Sequence, residues 1–281
     1  MIKNIAYFPS QCAKNSAPVM DAVLDVFQGA GIQTKENHWD CDAAVIWSVL
    51  WHGRMRANQA VYEHYVRQRR PVIVLEIGAL YRGLTWKVAV NNITARGYYG
   101  HQENLDMDRP RKLGISLATQ FAHKPHVVIA LQHGRSQQVA DIDLTQWLAD
   151  QIQSLRCHTD RPIVIRPHPR FTMPLPPLPP NTVVQTPRPV ANTYDSFDMH
   201  FDCHAVINFN SGPGIQAAIA GVRPVVDQSS LAWPVSVSMA DIEKPYAVDR
   251  QRWFVELCHT EYTLQELRQG LWLKRIEPAL V

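Results

Sequence analysis

The chain has 281 residues, 46% of them hydrophobic and 19% charged, with a formal net charge of +3. That length exceeds one typical domain of about 100–200 residues, and the composition excludes a disordered chain. The slight basic excess suits a phosphate-bearing ligand but is too small to mark a nucleic-acid-binding domain by itself. No apolar run approaches the ~20 residues needed to cross a bilayer, so membrane insertion is not expected. Met1–Ser10 lacks the features of a secretory signal. Five scattered cysteines contain no C-x-x-C pair, which reads as reduced thiols. The expected location is cytoplasmic.

Asn4–Phe8 predicts a short strand closed by Pro9–Ser10. Ser16 is placed to cap a helix from Pro18 to about Gln28, ending at Gly29 and Gly31. Ile32–Lys35 and Ala43–Ser48 read as strands, Arg54–Gln68 as a helix, and Pro71–Leu75 as a buried strand. Tyr81–Asp108 reads as loop-rich. A second βα array opens with the strand Val127–Leu131, followed by the helix Asp143–Leu155 with an apolar stripe and the strand Pro162–Arg166. Pro167–Pro180 holds seven prolines and cannot be helical. Val183–Val184 is a short strand and Ser196–Met199 a helical turn. Ala205–Phe209 is a strand, Pro213–Ala220 a helix, and Pro224–Val226 a strand. The tail offers helices over Asp249–Cys258 and Leu264–Leu273. Tandem arrays of this kind give an α/β fold of two Rossmann-like domains facing across a cleft. The boundaries are set at 1–118 for an N-terminal Rossmann-like domain and 119–250 for a C-terminal Rossmann-like domain. Residues 251–281 form C-terminal helices free to pack back on the first domain.

Three segments follow strands of the second array, at the strand ends where open α/β sheets hold ligands. Asn210-Ser211-Gly212-Pro213-Gly214 opens a helix, and its N–H groups and dipole suit a diphosphate. It also spells G-x-G-x-x-A, with Asp227 ending the next strand. The short helix and the motif's late position in its domain argue against a dinucleotide site. Arg166-Pro167-His168-Pro169-Arg170 carries two arginines for charge-assisted phosphate contacts on a proline-stiffened loop. Gln132-His133-Gly134-Arg135-Ser136 could hold a phosphate or sugar hydroxyls. In the first array, Glu76 follows a buried strand and is the candidate general base. Asp42 and His52 are further acceptor-side candidates on the same positional logic, and Trp51 could stack on a sugar or base. Asp141-Ile142-Asp143 and Asp106-Met107-Asp108 lie in polar loops and read as solvated charge or a helix cap, so no metal and no cofactor is expected.

Arg-Pro-His-Pro-Arg, then Asn-Ser-Gly-Pro-Gly-Ile-Gln-Ala, then Gly-Val-Arg-Pro-Val-Val over roughly Pro162–Asp227 resembles the donor half of GT-B glycosyltransferases and capsule-polysaccharide-type transferases. The pattern is shared with non-hydrolysing sugar-nucleotide epimerases. The tail from Asp249 to Gly270, with Glu76–Gly83, is similar to glycosyltransferase-like proteins of tailed bacteriophages, some of which glycosylate hydroxymethylated pyrimidines in DNA. The resemblance implies a metal-independent transferase using a nucleotide-sugar, with a UDP-sugar the leading expectation. Modified DNA is one acceptor it suggests. Arg166, His168 and Glu76 take the catalytic roles it implies. Ser211, Gly212, Gly214, Asn210, Gln216, Arg170, His133, Gly134 and Arg135 bind the donor. Gln216 stands where the family often has a ribose-binding glutamate. The alternatives are an epimerase or a non-catalytic relative that binds nucleotide or nucleic acid.

Overall fold

The computed structural model describes residues 2–103, 105–118, 125–191, 196–198 and 202–280. Its strands are β1 (Asn4–Tyr7), β2 (Gln33–Glu36), β3 (Ala43–Trp47), β4 (Val72–Ile77), β5 (Thr85–Val90), β6 (Val127–Ala130), β7 (Ile163–Arg166), β8 (Thr182–Val184), β9 (Ala205–Asn208), β10 (Arg223–Val226) and β11 (Glu261–Thr263). The α-helices are α1 (Ala17–Gly29), α2 (Asn58–Arg67), α3 (Arg109–Lys112), α4 (Leu144–Arg156), α5 (Gly212–Ile219), α6 (Gln251–Cys258), α7 (Leu264–Arg268) and α8 (Leu271–Ile276). They form two compact units, Met1–Arg109 with Val255–Val281, and Pro110–Phe254. The boundary expected at 118/119 touches Thr119, which lies outside the described residues. None of the described helices is long and apolar enough to cross a membrane.

The first unit carries a six-stranded sheet in the order β11-β5-β4-β3-β1-β2. β2, β1, β3 and β4 are parallel, whereas β5 and β11 run antiparallel to their neighbours. Every residue of β3 is buried, as its unbroken apolar run requires of a strand covered on both faces. β5 falls inside the stretch expected to be loop-rich, because a buried lysine interrupts its apolar pattern. The helix expected over Arg54–Gln68 opens instead with a 3₁₀ turn, Gly53–Ala57, before α2 begins. The helix expected over Leu264–Leu273 breaks into α7 and α8 at Gly270, whose φ of +70° is left-handed. A Cβ there would also stand 3.0 Å from Val26 of α1. Thr263 and Glu266 form a capping box that starts α7. The tail packs on α1 through Phe27 and Trp272, with ring centroids 5.1 Å apart. Arg109 fastens it, donating to Glu266 at 2.7 Å and to the carbonyls of Cys258 and Glu261.

The second unit holds an all-parallel sheet in the order β10-β9-β6-β7-β8. α4 buries Leu144, Leu148, Ile152 and Leu155, and Asp143 caps it by accepting the N–H groups of Thr145 and Gln146. Val127, Ile129, Ile163, Ile165, Ala205 and Ile207 share one core with that stripe. The turn expected at Ser196–Met199 is not helical where it is described: Phe197 forms a bridge with Pro189, and Met199 lies outside the described residues. The chain moves outward from β6 through β7 to β8, then returns to the other side of β6 with β9 and β10. That reversal makes the carboxyl ends of β6 and β9 the topological switch point, where such sheets leave a crevice.

His204 precedes β9 and is buried. Its Nε2–H donates to the Ile242 carbonyl at 2.8 Å, while Nδ1 finds no partner among the described residues. Burial, helped by the charges of Arg223 and Arg161, lowers its pKa against the pull of Ile242 and Glu243. A histidine depressed in the folded state binds fewer protons there than when unfolded. Its contribution is therefore present above its ordinary pKa of about 6.5 and is lost as pH falls below it. Urea melts should show the second unit weakening from pH 7.5 to 5.5, and His204→Gln should flatten that slope. An unchanged slope would remove His204 from the account.

Candidate active site

The switch point is built by buried amides. Asn208, the last residue of β9, donates from Nδ2 to the Ala130 carbonyl at the end of β6 (2.8 Å) and to Ser211 Oγ (3.0 Å). Its Oδ1 accepts the Ser211 N–H at 2.8 Å. This one side chain sets the turn that launches α5, with Ser211 extended at the N-cap and Pro213 in the first helical turn. Asn210 is paired in both directions with Gln132: Gln132 Nε2 donates to its Oδ1 at 3.1 Å, and its own N–H donates to Gln132 Oε1 at 3.2 Å. Asn210 Nδ2 continues to Ser229 Oγ, which donates to Asp227 at 2.5 Å. Asn210 and Asp227 thus brace the turns after β6, β9 and β10. Those bonds use the Asn210 amide, which the sequence had placed on the donor.

The turns after β6 and β7 repeat one design. His133 Nδ1 accepts the N–H of Arg135, and His168 Nδ1 accepts the N–H of Arg170, each at 3.1 Å. A ring nitrogen that accepts carries no proton, so the neutral tautomer of each ring has Nε2–H as its donor. The two rings meet edge to face, centroids 5.0 Å apart, and His133 also lies against Phe171 at 4.9 Å. Gly134 is required at that contact: a Cβ would stand 2.5 Å from the Phe171 ring. Arg135 and Arg170 are both exposed, and Arg170 lies over the Phe197 ring. Because β6 separates β7 from β9 in a parallel sheet, the turns carrying His133, His168 and Ser211 leave the same edge. Two cationic side chains, two imidazoles and the N-terminus of an eight-residue helix therefore share one carboxyl edge, an arrangement suited to a phosphate group.

Other expected residues sit elsewhere. Arg166 is turned into the fold and is 2% exposed. It donates to Asp198 Oδ1 at 2.6 Å, to the Asp198 carbonyl and to Gln185 at 3.0 Å. A side chain on the last residue of a buried strand points across a sheet face rather than off its edge. Gly214 also has a different reason to be glycine. A Cβ there would stand 2.5 Å from Val226 Cγ1, so its absence lets α5 pack on β10. Gly214→Val, at first sight a test of diphosphate binding, is expected to cost about 1–3 kcal/mol by overpacking. A thermal melt should show the loss, with nucleotide affinity per folded molecule unchanged. Gln216 is half-buried in the second turn of α5.

In the first unit, the switch between β1 and β3 brings out Ser48, Trp51 and His52. Trp51 packs on Tyr62 with centroids 5.8 Å apart, and His52 is exposed. Glu76 accepts from Ser48 Oγ at 2.6 Å and from the Ile77 N–H at 2.9 Å. Asp42 does not share that edge. It precedes β3, and there it accepts the N–H groups of Lys3 and Asn4, the first of which chiefly holds its carboxyl below the usual range. Sequence reading assigned Asn208 and Gln132 no role beyond membership of their segments, and Lys87 and Glu261 none at all. A polar residue ending an apolar strand was the available signal for Asn208.

No family model matches the chain, and no curated protein sequence matches it. Among solved structures, the Thermosulfurimonas dismutans KpsC beta Kdo 2,4 transferase is similar at TM-score 0.54 and 11% identity, over 96% of this chain and 98% of that one. The beta Kdo 2,7 transferase of the same protein is similar at TM-score 0.51 and 11% identity, over 96% and 98%. These likenesses define an α/β fold of two Rossmann-like units of the GT-B type.

Proposed function

We propose that this chain is a glycosyltransferase that takes a sugar from a nucleotide-sugar and places it on an acceptor hydroxyl. The observation that carries the reading is the single edge shared by Arg135, Arg170, the His133 and His168 rings and the start of α5. There the donor phosphates would be held, and positive groups would stabilise the charge that grows on the departing phosphate. Glu76 accepts the proton of the acceptor hydroxyl. The acceptor oxygen bonds to the anomeric carbon, and the bond from that carbon to the phosphate oxygen breaks, its electron pair leaving with the nucleotide. Each Glu76 oxygen has a second lone pair for that proton beyond the bonds described.

A UDP-sugar is the first donor to try. Two similar structures are titled Kdo transferases, so an activated Kdo belongs beside UDP-glucose and UDP-N-acetylglucosamine. The phage-like tail adds hydroxymethyl-pyrimidine DNA to an acceptor panel of oligosaccharides. Mass spectrometry of each acceptor is the test, with Glu76→Gln as control. Transfer by wild type that falls at least a hundredfold in Glu76→Gln supports the reading, a size typical of losing a general base. A sugar epimer formed without acceptor would replace it with an epimerase, and failure to bind UDP, ADP or CMP in calorimetry would end it.

A further inference from the structure

Four polar side chains stand in one row across the sheet of the first unit. Glu76 of β4 opposes Lys87 of β5, and Lys87 opposes Glu261 of β11. Directly opposed residues project to the same face of a sheet. Ser48 extends the row beyond β3, donating its N–H to the Leu75 carbonyl at 2.7 Å and its Oγ to Glu76. Ser48 holds a left-handed φ of +65°, a conformation that costs a non-glycine residue about 1–3 kcal/mol and persists only where its surroundings enforce it.

Ser48, Lys87 and Glu261 are buried, and only Glu76 is half-exposed. Glu261 is bound on its far side by the N–H groups of Ala79 and Leu80 and by Thr85 Oγ1, at 2.7, 3.0 and 2.7 Å. A Cβ on Gly78 would stand 2.3 Å from the Glu261 carboxylate, so that glycine makes room for it. Tyr99, buried nearby, feels the same carboxylate. Burial lowers the Lys87 amine, and the charges of Glu261 and then Glu76 oppose that drop. A lysine inside an apolar sheet is costly.

We propose that Lys87 is a positioning residue for Glu76: it projects from β5 on the sheet face it shares with Glu76 of β4 and Glu261 of β11, so that its charge helps fix Glu76 as a proton acceptor. Ser48 and the Ile77 N–H hold one Glu76 oxygen each, and Glu261 opposes the lysine from β11 on its other side. The groups facing the row are Ser48 from the end of β3, Glu76 from β4, Lys87 from β5, Glu261 from β11, and Tyr99 beside Glu261. The role rests on the reading of Glu76 as the base, but its physical content can be tested without turnover.

Carbodiimide with glycine ethyl ester modifies carboxyls in their protonated form, and peptide mass spectrometry reads the label at Glu76. At mildly acidic pH, Lys87→Met is expected to raise that label roughly tenfold, the effect of losing one nearby opposite charge. Lys87→Arg should stay at the wild-type level. Equal labelling in wild type and a folded Lys87→Met protein would overturn the proposal. Should that variant fail to fold by circular dichroism, Lys87→Met/Glu261→Gln removes one carboxylate with the amine and is judged by the same criterion. Full transfer in Glu76→Gln would end the base assignment and leave the labelling result standing. Equal labelling would end the role of Lys87 and leave that of Glu76 open.

Discussion

Arg166→Ala is expected to unfold the second unit at a much lower temperature while leaving nucleotide affinity per folded molecule close to wild type. The guanidinium is 2% exposed and its Asp198 partner 20%. Removing one member of a buried pair costs about 3–5 kcal/mol, because the other charge is left without compensation. Asp198 keeps some contact with solvent and with the Arg188 N–H at 2.8 Å, which places the loss near the lower end. At about 2–4 °C per kcal/mol for a unit of this size, the melting temperature should fall by roughly 6–12 °C. Arg166→Met, which keeps much of the packing volume, should recover little, since the charge of Asp198 is the cost. Calorimetry with UDP, run well below the transition, supplies the second half of the test. A melt within 2 °C of wild type, together with lost binding, would return Arg166 to the donor site; the threshold is about one kcal/mol.

The contrast between Arg166 and Arg170 shows where sequence reading works. Both belong to one Arg-Pro-His-Pro-Arg run, Arg166 as the last residue of its strand and Arg170 in the turn that follows. The run and its position at a carboxyl end were legible, because an apolar strand followed by prolines has few alternatives. Whether a given arginine points off the edge or across a face depends on where the strand stops. β7 includes Arg166, one residue of pairing that assigns its side chain to the fold. Gly214 is a similar case. The glycine spacing was visible, but Val226, whose packing demands it, comes 12 positions later and meets it only in the folded sheet. The row through Lys87 was illegible for a stronger reason. Its members come from three strands and the residue that follows β3, β11 lies far along the chain, and a lysine amid β5 reads as surface until Glu76 and Glu261 are seen on either side. The paired histidine turns were half visible: His133-Gly134-Arg135 and His168-Pro169-Arg170 share a spacing. Only the adjacency of β6 and β7 brings the rings together.

Arg135→Ala and Arg170→Ala should show the reverse pattern to Arg166→Ala, with little change in melting temperature and a large loss of nucleotide affinity. Both side chains are exposed at the carboxyl edge, so truncation opens no cavity, and surface changes of this kind stay within about 0.5 kcal/mol of stability. A hydrogen bond to a charged group contributes about 1.5–3 kcal/mol, and solvent exposure favours the lower end. Each single variant is therefore expected to weaken UDP binding about tenfold. Independent sites would make the double variant about a hundredfold weaker. The two turns are not fully independent, since the His133 and His168 rings touch. A double variant that departs from the product of the singles would measure that coupling. The loss should shrink at high salt, because exposed charges beyond roughly 8–10 Å are screened at physiological ionic strength. Unchanged affinity in both single variants would take the phosphate away from this edge, and with it the donor site on which transfer depends.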